Sequence, residues 1–240
     1  MIKLVASDLD GTLLHNYQQT VPKEIYDTIK ALHEKGIIFT AASGRQYANI
    51  RRLFAPLGFN IPYIAENGSM CVYKEEILAT GLTPSKTIRH ILDALMEYRK
   101  IYHTGHCILS VKDTYYSDST DERFIDYMEN DMHNIVTYVP DLYAIKEPII
   151  KAAICDFGGT KNHKRIGDEI RVVTSADHWI DFIAPNANKG TALKVLMEKF
   201  GIKKEECICF GDQQNDIEML KAAGTAYVMA TGHPLAKKAA

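Results

Sequence analysis

No stretch of this sequence is apolar for long enough to span a membrane, and the N-terminus lacks the charged, apolar and small-residue pattern of a secretory signal. Nor does one sign of charge dominate. The chain has 28 Lys and Arg against 30 Asp and Glu, mixed along its length, for a net charge of -2. That balance argues against nucleic acid or an anionic membrane surface as a partner. Cysteine is scarce: there are five, an odd number with no C-x-x-C spacing, which argues for reduced thiols and a cytoplasmic setting. Cys207 and Cys209 share one face of an apolar run and read as core residues. Internal repeats and low-complexity segments are missing too. What remains is an ordinary globular composition, 46% hydrophobic and 24% charged over 240 residues. That length suffices for one large domain or two modest ones.

The most informative stretch comes first, Ile2-Lys3-Leu4-Val5-Ala6-Ser7-Asp8-Leu9-Asp10-Gly11-Thr12. An apolar run broken by glycine reads as a buried strand. Alternation along it would put Asp8 and Asp10 on one face at the carboxyl end, where open α/β sheets bind ligands. Two carboxylates so close are costly unless a cation or a shared proton offsets them. The plainer alternative is a strand running into an acidic turn.

A helix is predicted from Val21-Pro22 to about Lys35, with Gly36 as its stop. A strand over 37–42 ends in Ser43-Gly44-Arg45, a helix carrying Ile50, Leu53 and Phe54 runs to Gly58, and a short strand over 63–65 leads into the turn Glu66-Asn67-Gly68-Ser69. This alternation predicts a Rossmann-like, doubly wound parallel sheet. Near Pro84 the pattern changes. A long helix to about Arg99 precedes strands over 107–112 and 114–117, a helix over 121–130 and a strong strand over 149–157 that Gly158-Gly159 breaks. Strands over 170–174 and 179–183 follow, with a helix between Asn162 and Gly167. Adjacent strands mixed with helices predict an α+β unit. We therefore expect a core of residues 1–82 and 186–240 with an α+β domain, 83–185, inserted into it. From Pro185 alternation resumes: Asn188-Lys189-Gly190 opens a helix to Phe200, a strand over 206–210 closes on Gly211-Asp212-Gln213-Gln214-Asn215-Asp216, a helix runs to Ala223, and a strand spans 225–229. The chain stops at Ala240 soon after Pro234, where one more helix could follow.

Four short stretches thus follow core strands: Asp8-x-Asp10-Gly-Thr, Ser43-Gly44-Arg45, Lys189-Gly190 and Gly211-Asp212-x-x-Asn215-Asp216. Ser43 and Gly44 read either as an anion site, through hydroxyl, backbone N–H and helix dipole, or as a simple helix cap. Lys189 opens a helix, where a cation opposes the dipole, and that mismatch favours a functional charge. The acidic 211–216 stretch has a capping turn as its alternative. Arg45 either touches substrate or bridges carboxylates. His103-x-x-His106 has no further ligand cluster and reads as a solvated loop. Trp179 reads as core rather than as a stacking platform.

Taken together, the four stretches resemble the haloacid dehalogenase-like (HAD) phosphatase superfamily, and within it the Cof-type sugar-phosphate phosphatases. The resemblance covers nearly the whole chain. It implies a Mg²⁺-dependent phosphatase of small phosphorylated metabolites, sugar phosphates first, working through an aspartyl phosphate. It makes Asp8 the nucleophile, with Mg²⁺ held by the side chains of Asp8 and Asp212 and the backbone carbonyl of Asp10. The Asp10 carboxyl is left free for acid/base work. Leu9, Ser43, Gly44, Lys189 and Asn215 are implied to bind phosphate, Lys189 also serving Asp8, while Asp216 orients the metal shell or Lys189. The inserted domain corresponds to the larger (C2-type) cap, which excludes water and reads the leaving group. A phosphotransferase or mutase, or a phosphate-binding module without turnover, would fit the same scaffold. One departure stands at the chain's end, where Ala-Thr-Gly-His-Pro follows Met229 in place of the Gly-Asn-Ala common in relatives. Neither the substrate nor the oligomeric state is readable.

Overall fold

A computed structural model describes residues 1–15, 18–158, 171–176 and 178–240. The chain divides into two compact units, Met1–Thr80 with Ala187–Ala240, and Gly81–Asn186. The first is built on a seven-stranded sheet. Its strands are β1 (Leu4–Asp8), β2 (Ile38–Ala42), β3 (Tyr63–Ala65), β4 (Met70–Tyr73), β5 (Glu76–Thr80), and, from the second segment of chain, β12 (Cys207–Gly211) and β13 (Thr225–Val228). They are ordered β13-β12-β1-β2-β3-β4-β5. The first five run parallel, and β4 and β5 add an antiparallel hairpin at one edge.

The parallel strands are apolar because both of their faces are covered. On one face α5 (Lys189–Phe200) and α6 (Ile217–Ala222) bury Leu193, Leu196, Met219 and Leu220 against Leu4, Ala6, Cys207 and Cys209. Elsewhere in the unit, α1 (Lys23–Glu34) buries Ile29, and α2 (Tyr47–Phe54) brings Phe54 against Phe39 and Tyr63. Cys207 and Cys209 are fully buried core residues, as expected, and all five cysteines are free. The short helix α7 (Pro234–Lys237) follows β13 and buries Ala236 in the same core. The hairpin β4–β5 went unforeseen for a physical reason. Its two turn residues, Lys74 and Glu75, both take left-handed backbone angles (φ 50° and 64°), without the Asn-Gly pair that usually advertises such a turn.

The second unit has a six-stranded sheet ordered β10-β11-β9-β6-β7-β8, with only β7 and β8 parallel. Its strands are β6 (His106–Ser110), β7 (Tyr115–Ser117), β8 (Val136–Tyr138), β9 (Lys151–Cys155), β10 (Arg171–Ala176) and β11 (Trp179–Ile183). Helix α3 (Ser85–Tyr102) buries Ile88, Ile91, Leu92 and Leu95 against Cys107, Leu109, Ile154 and Phe182. The opposite face of those strands packs Ile108, Ala153 and Trp179 against Phe124 of α4 (Glu122–Asp126) and Met128 of the π-helical turn that continues it. Trp179 is core here. His106 is not in a loop: it lies on β6, stacked on Phe124 with ring centroids 4.5 Å apart and hydrogen-bonded to Ser119. His103 is the left-handed cap of α3. The helix expected between Asn162 and Gly167 lies outside the described residues. No helix among the described residues is long and apolar enough to cross a membrane.

Candidate active site

The carboxyl ends of β1 and β12, and the N-terminus of α5, converge on one cluster. Strand β1 ends at Asp8, so Asp10 stands in the turn beyond it and not on the strand face that alternation suggested. In that turn the Leu9 carbonyl accepts from the N–H groups of Thr12 and Leu14, and the Leu9 side chain is fully buried. Gly11 (φ 91°) lets the turn approach β12: a Cβ there would lie 2.3 Å from Asp212 Oδ2. Thr12 Oγ1 donates to Asp212 Oδ1 at 3.2 Å.

Lys189 is the centre of this cluster. It is wholly buried at the first turn of α5, behind an Asn188–Thr191 capping box. Its Nζ donates to Asp8 Oδ1 and, at 2.6 Å, to Asp216 Oδ1. The other Asp216 oxygen accepts from the backbone N–H groups of Asp212 and Gln213 at 2.9 and 3.0 Å. Both Asp216 oxygens are therefore engaged, one orienting Lys189 and the other shaping the β12 loop.

Burial, helped by the neighbouring Asp216 charge, holds the Asp8 carboxyl well above the ordinary carboxylate range, while Lys189 pulls it down. Asp212 is raised by the same two causes. For Lys189, burial works against the charge, but Asp216 and Asp8 outweigh it and the ammonium is held above its usual range.

Asp10 is engaged by a different cation. Arg45 Nε donates to its Oδ2 at 2.8 Å and Nη2 to its Oδ1 at 2.6 Å, a two-pronged ion pair whose arginine side chain is only 4% exposed. The Asp10 carboxyl is thus clamped by Arg45. Of the two readings of Arg45, the structure comes nearer to the carboxylate one, with a single carboxylate gripped in place of two bridged. Arg45 also donates to Asn49, Gln19 and the Gln18 carbonyl.

Ser43 and Gly44 precede a helix that starts only at Tyr47 with Gln46 as its cap, so they are loop and not helix cap. The Ser43 hydroxyl accepts from the Arg45 N–H at 3.2 Å. Asn215 donates through Nδ2 to Asn67 Oδ1 at 2.9 Å. Asn67, read from sequence only as part of a turn, is therefore next to predicted site residues. The available signal was its place, just past the carboxyl end of a parallel strand.

The donor set suits a hard divalent cation. Asp8, Asp212 and Asp216 each offer a carboxylate oxygen within 4.8 Å of the others. Around Lys189 and Arg45, four carboxylates (Asp8, Asp10, Asp212 and Asp216) face two basic groups, leaving the cluster short of two positive charges. All-oxygen ligands of this kind fit Mg²⁺. Asp216 is held by the buried Lys189 ammonium and two backbone N–H groups, whereas Asp212 accepts only the longer side-chain bonds of Thr12 and Gln213, at 3.2 and 3.3 Å, so Asp8 and Asp212 are the side chains best able to turn to a cation.

The sequence matches the family described as haloacid dehalogenase-like hydrolase over residues 5–240. It is 26% identical over 254 residues to the 5-amino-6-(5-phospho-D-ribitylamino)uracil phosphatase YbjI of Escherichia coli (strain K12), covering 95% of this chain and 85% of that protein. It is likewise 26% identical over 252 residues to YitU of Bacillus subtilis (strain 168), a phosphatase of the same description, covering 99% and 90%. The fold matches the crystal structure of a protein from Eubacterium rectale with a TM-score of 0.83 at 26% identity, covering 100% of this chain and 92% of that one. It also matches the subclass IIB sugar phosphatase BT4131, with a TM-score of 0.82 over 99% and 91% of the chains; at 22% identity that likeness concerns the fold alone.

Proposed function

The chain belongs to the haloacid dehalogenase-like hydrolases and is a phosphatase of that family, and from this premise we propose that it hydrolyses small phosphorylated metabolites, sugar phosphates first, with Mg²⁺ and through an aspartyl phosphate on Asp8. The observation that carries the proposal is the buried Asp8–Lys189–Asp216 chain with Asp212 beside it. Two relatives are named for a phosphorylated ribityl compound, which supports a polyhydroxylated leaving group.

In this reading Asp8 attacks phosphorus in line and takes the phosphoryl group. Lys189 keeps Asp8 oriented and meets the negative charge of the phosphoryl oxygens. Side chains of Asp8 and Asp212 and the Asp10 carbonyl would hold Mg²⁺, which when bound neutralises phosphate charge so that an anionic nucleophile can approach. Asp216 fixes Lys189, and Leu9, Ser43, Gly44 and Asn215 supply donors to the phosphate. Asp10 protonates the leaving oxygen and later takes a proton from the attacking water. Arg45 sets the plane of that carboxylate, and each clamped oxygen keeps a second lone pair for the proton it must carry. Residues 83–185 act as the cap that selects the leaving group.

Release of inorganic phosphate from a panel of hexose, pentose and alditol phosphates tests this. Turnover should require Mg²⁺, vanish on chelation and return on adding the metal back. Ca²⁺ should inhibit, because its looser coordination disturbs the in-line geometry. Full activity without divalent metal would sink the metal assignment. Phosphate passed to a second sugar instead of water would favour a phosphotransferase, and binding without turnover would favour a regulatory module.

A further inference from the structure

The turn after β3 has an unusual backbone. Glu66, Asn67 and Gly68 take φ values of 52°, 58° and 92° in succession, and all three residues are buried. Left-handed residues in a row are costly, and such strain persists where surrounding contacts over-determine it, commonly at ligand sites. The contacts here are specific. The Asn67 N–H donates to the Ser43 carbonyl at 3.0 Å, and the Glu66 N–H donates to the Arg45 carbonyl at 3.1 Å. The Asn67 amide lies against Gly44, where a Cβ would come 2.9 Å from its Oδ1. Gly68 is pressed on the start of α5: a Cβ would fall 2.1 Å from the Asn188 carbonyl carbon and 2.5 Å from the Lys189 nitrogen. Finally, Asn67 Oδ1 accepts from Asn215, 148 residues away in sequence.

Strands β3 and β12 are separated in the sheet by β1 and β2. The Asn67–Asn215 bond therefore reaches across the carboxyl ends of the two strands that lead to Asp8 and Ser43. One short turn touches three of the stretches to which phosphate binding is attributed.

We propose that Asn67 is a positioning residue of the phosphate site, acting by fixing the amide of Asn215; the inference rests on the functional reading above. An amide nitrogen carries two hydrogens. Asn67 takes one, which sets the amide plane and leaves the second N–H of Asn215 as a donor of fixed direction. Without Asn67 that amide turns freely, and phosphate loses a prepaid contact. The loss falls on phosphate affinity more than on the chemical step.

The test uses the full chain with Mg²⁺, measuring inorganic phosphate binding by calorimetry and steady-state hydrolysis of p-nitrophenyl phosphate. Asn67→Gly removes the side chain and tolerates the left-handed backbone. It should raise the phosphate Kd and the KM by roughly three- to tenfold, the worth of one neutral hydrogen bond, while kcat changes much less. Asn215→Ala should do the same, and the double variant should be no worse than either, because the two act as one unit. Asn67→Asp keeps the acceptor and the turn but brings a negative charge to the anion, so it should weaken phosphate binding further. Wild-type phosphate affinity in the Gly or the Asp variant, or losses that multiply in the double variant, would overturn the inference. Wild-type turnover with unaffected Asn67 variants would remove this inference alone, whereas a wild-type chain that neither binds nor releases phosphate would remove the functional reading beneath it.

Discussion

Replacing Lys189 by Met probes the cluster's electrostatics apart from its chemistry. The Lys189 and Asp216 side chains are both 0% exposed, and that of Asp8 is 7%. Methionine keeps most of the lysine's volume but leaves two buried carboxylates facing each other without a cation. Removing one partner of a buried ion pair costs about 3–5 kcal/mol, because the orphaned charge stays desolvated. For a chain of this size that amounts to a fall in Tm of roughly 6–20 °C. The loss should depend on pH in a definite direction. Lys189 is the influence that lowers Asp8, so in the variant the folded-state pKa of Asp8 rises further above its unfolded value of 3.8. A carboxyl with a raised folded pKa binds more protons folded than unfolded, so stability falls as pH rises through that pKa and returns as pH falls. The gap in Tm between variant and wild type should therefore narrow between pH 8 and pH 5.5, as followed by circular dichroism. Asp216→Asn in the same background should recover part of the loss. A Lys189→Met protein that melts within about 2 °C of wild type at pH 8 would refute the picture of a desolvated, mutually dependent triad.

Asp10→Asn should depress kcat/KM far more for a hexose phosphate, whose alkoxide needs a proton, than for p-nitrophenyl phosphate, with general acid help worth ~10²–10⁴-fold. A burst of nitrophenolate should precede a slow steady rate, and equal losses without a burst would leave Asp10 only structural. Gly68→Ala places a methyl 2.1 Å from the Asn188 carbonyl carbon in a backbone that disfavours it, so both Tm and activity should drop, and unchanged values would mean the turn relaxes freely. Burial, with Arg99 adding to it, keeps His106 below its usual pKa against the pull of Asp121. The unfolded histidine then binds the proton more readily, so stability should be full above about pH 6.5 and decline below it; thermal melts at pH 7.5 and 5.5 should show His106→Gln losing less on acidification.

Much of this architecture was legible because strand, turn and helix signals agree along the chain. The apolar runs ending in Asp8, Ala42 and Gly211 are parallel strands, and Lys189 opens a helix as its context suggests. What escaped was set by tertiary contacts. The Lys74–Glu75 turn adopts angles that neither residue type advertises. Strand β8 has only three residues and takes its place by pairing with β7. The expected helix over 121–130 gives way to a π-helical turn from Tyr127, which no local periodicity marks. At the site, spacing identified the carboxylates but not their partners. That Arg45 would clamp Asp10, or that Asn67 would reach Asn215, depends on residues brought together from distant parts of the chain.

The central claim is that Asp8 becomes phosphorylated. Rapid acid quench of the enzyme with a turning-over sugar phosphate and Mg²⁺, followed by peptide mass spectrometry, reads this directly. The peptide containing Asp8 should gain the mass of one phosphoryl group, at that carboxylate, and should lose it in Asp8→Asn and on chelating the metal. A phosphoryl group found on another residue, or steady phosphate release by the Asp8→Asn protein, would contradict the account.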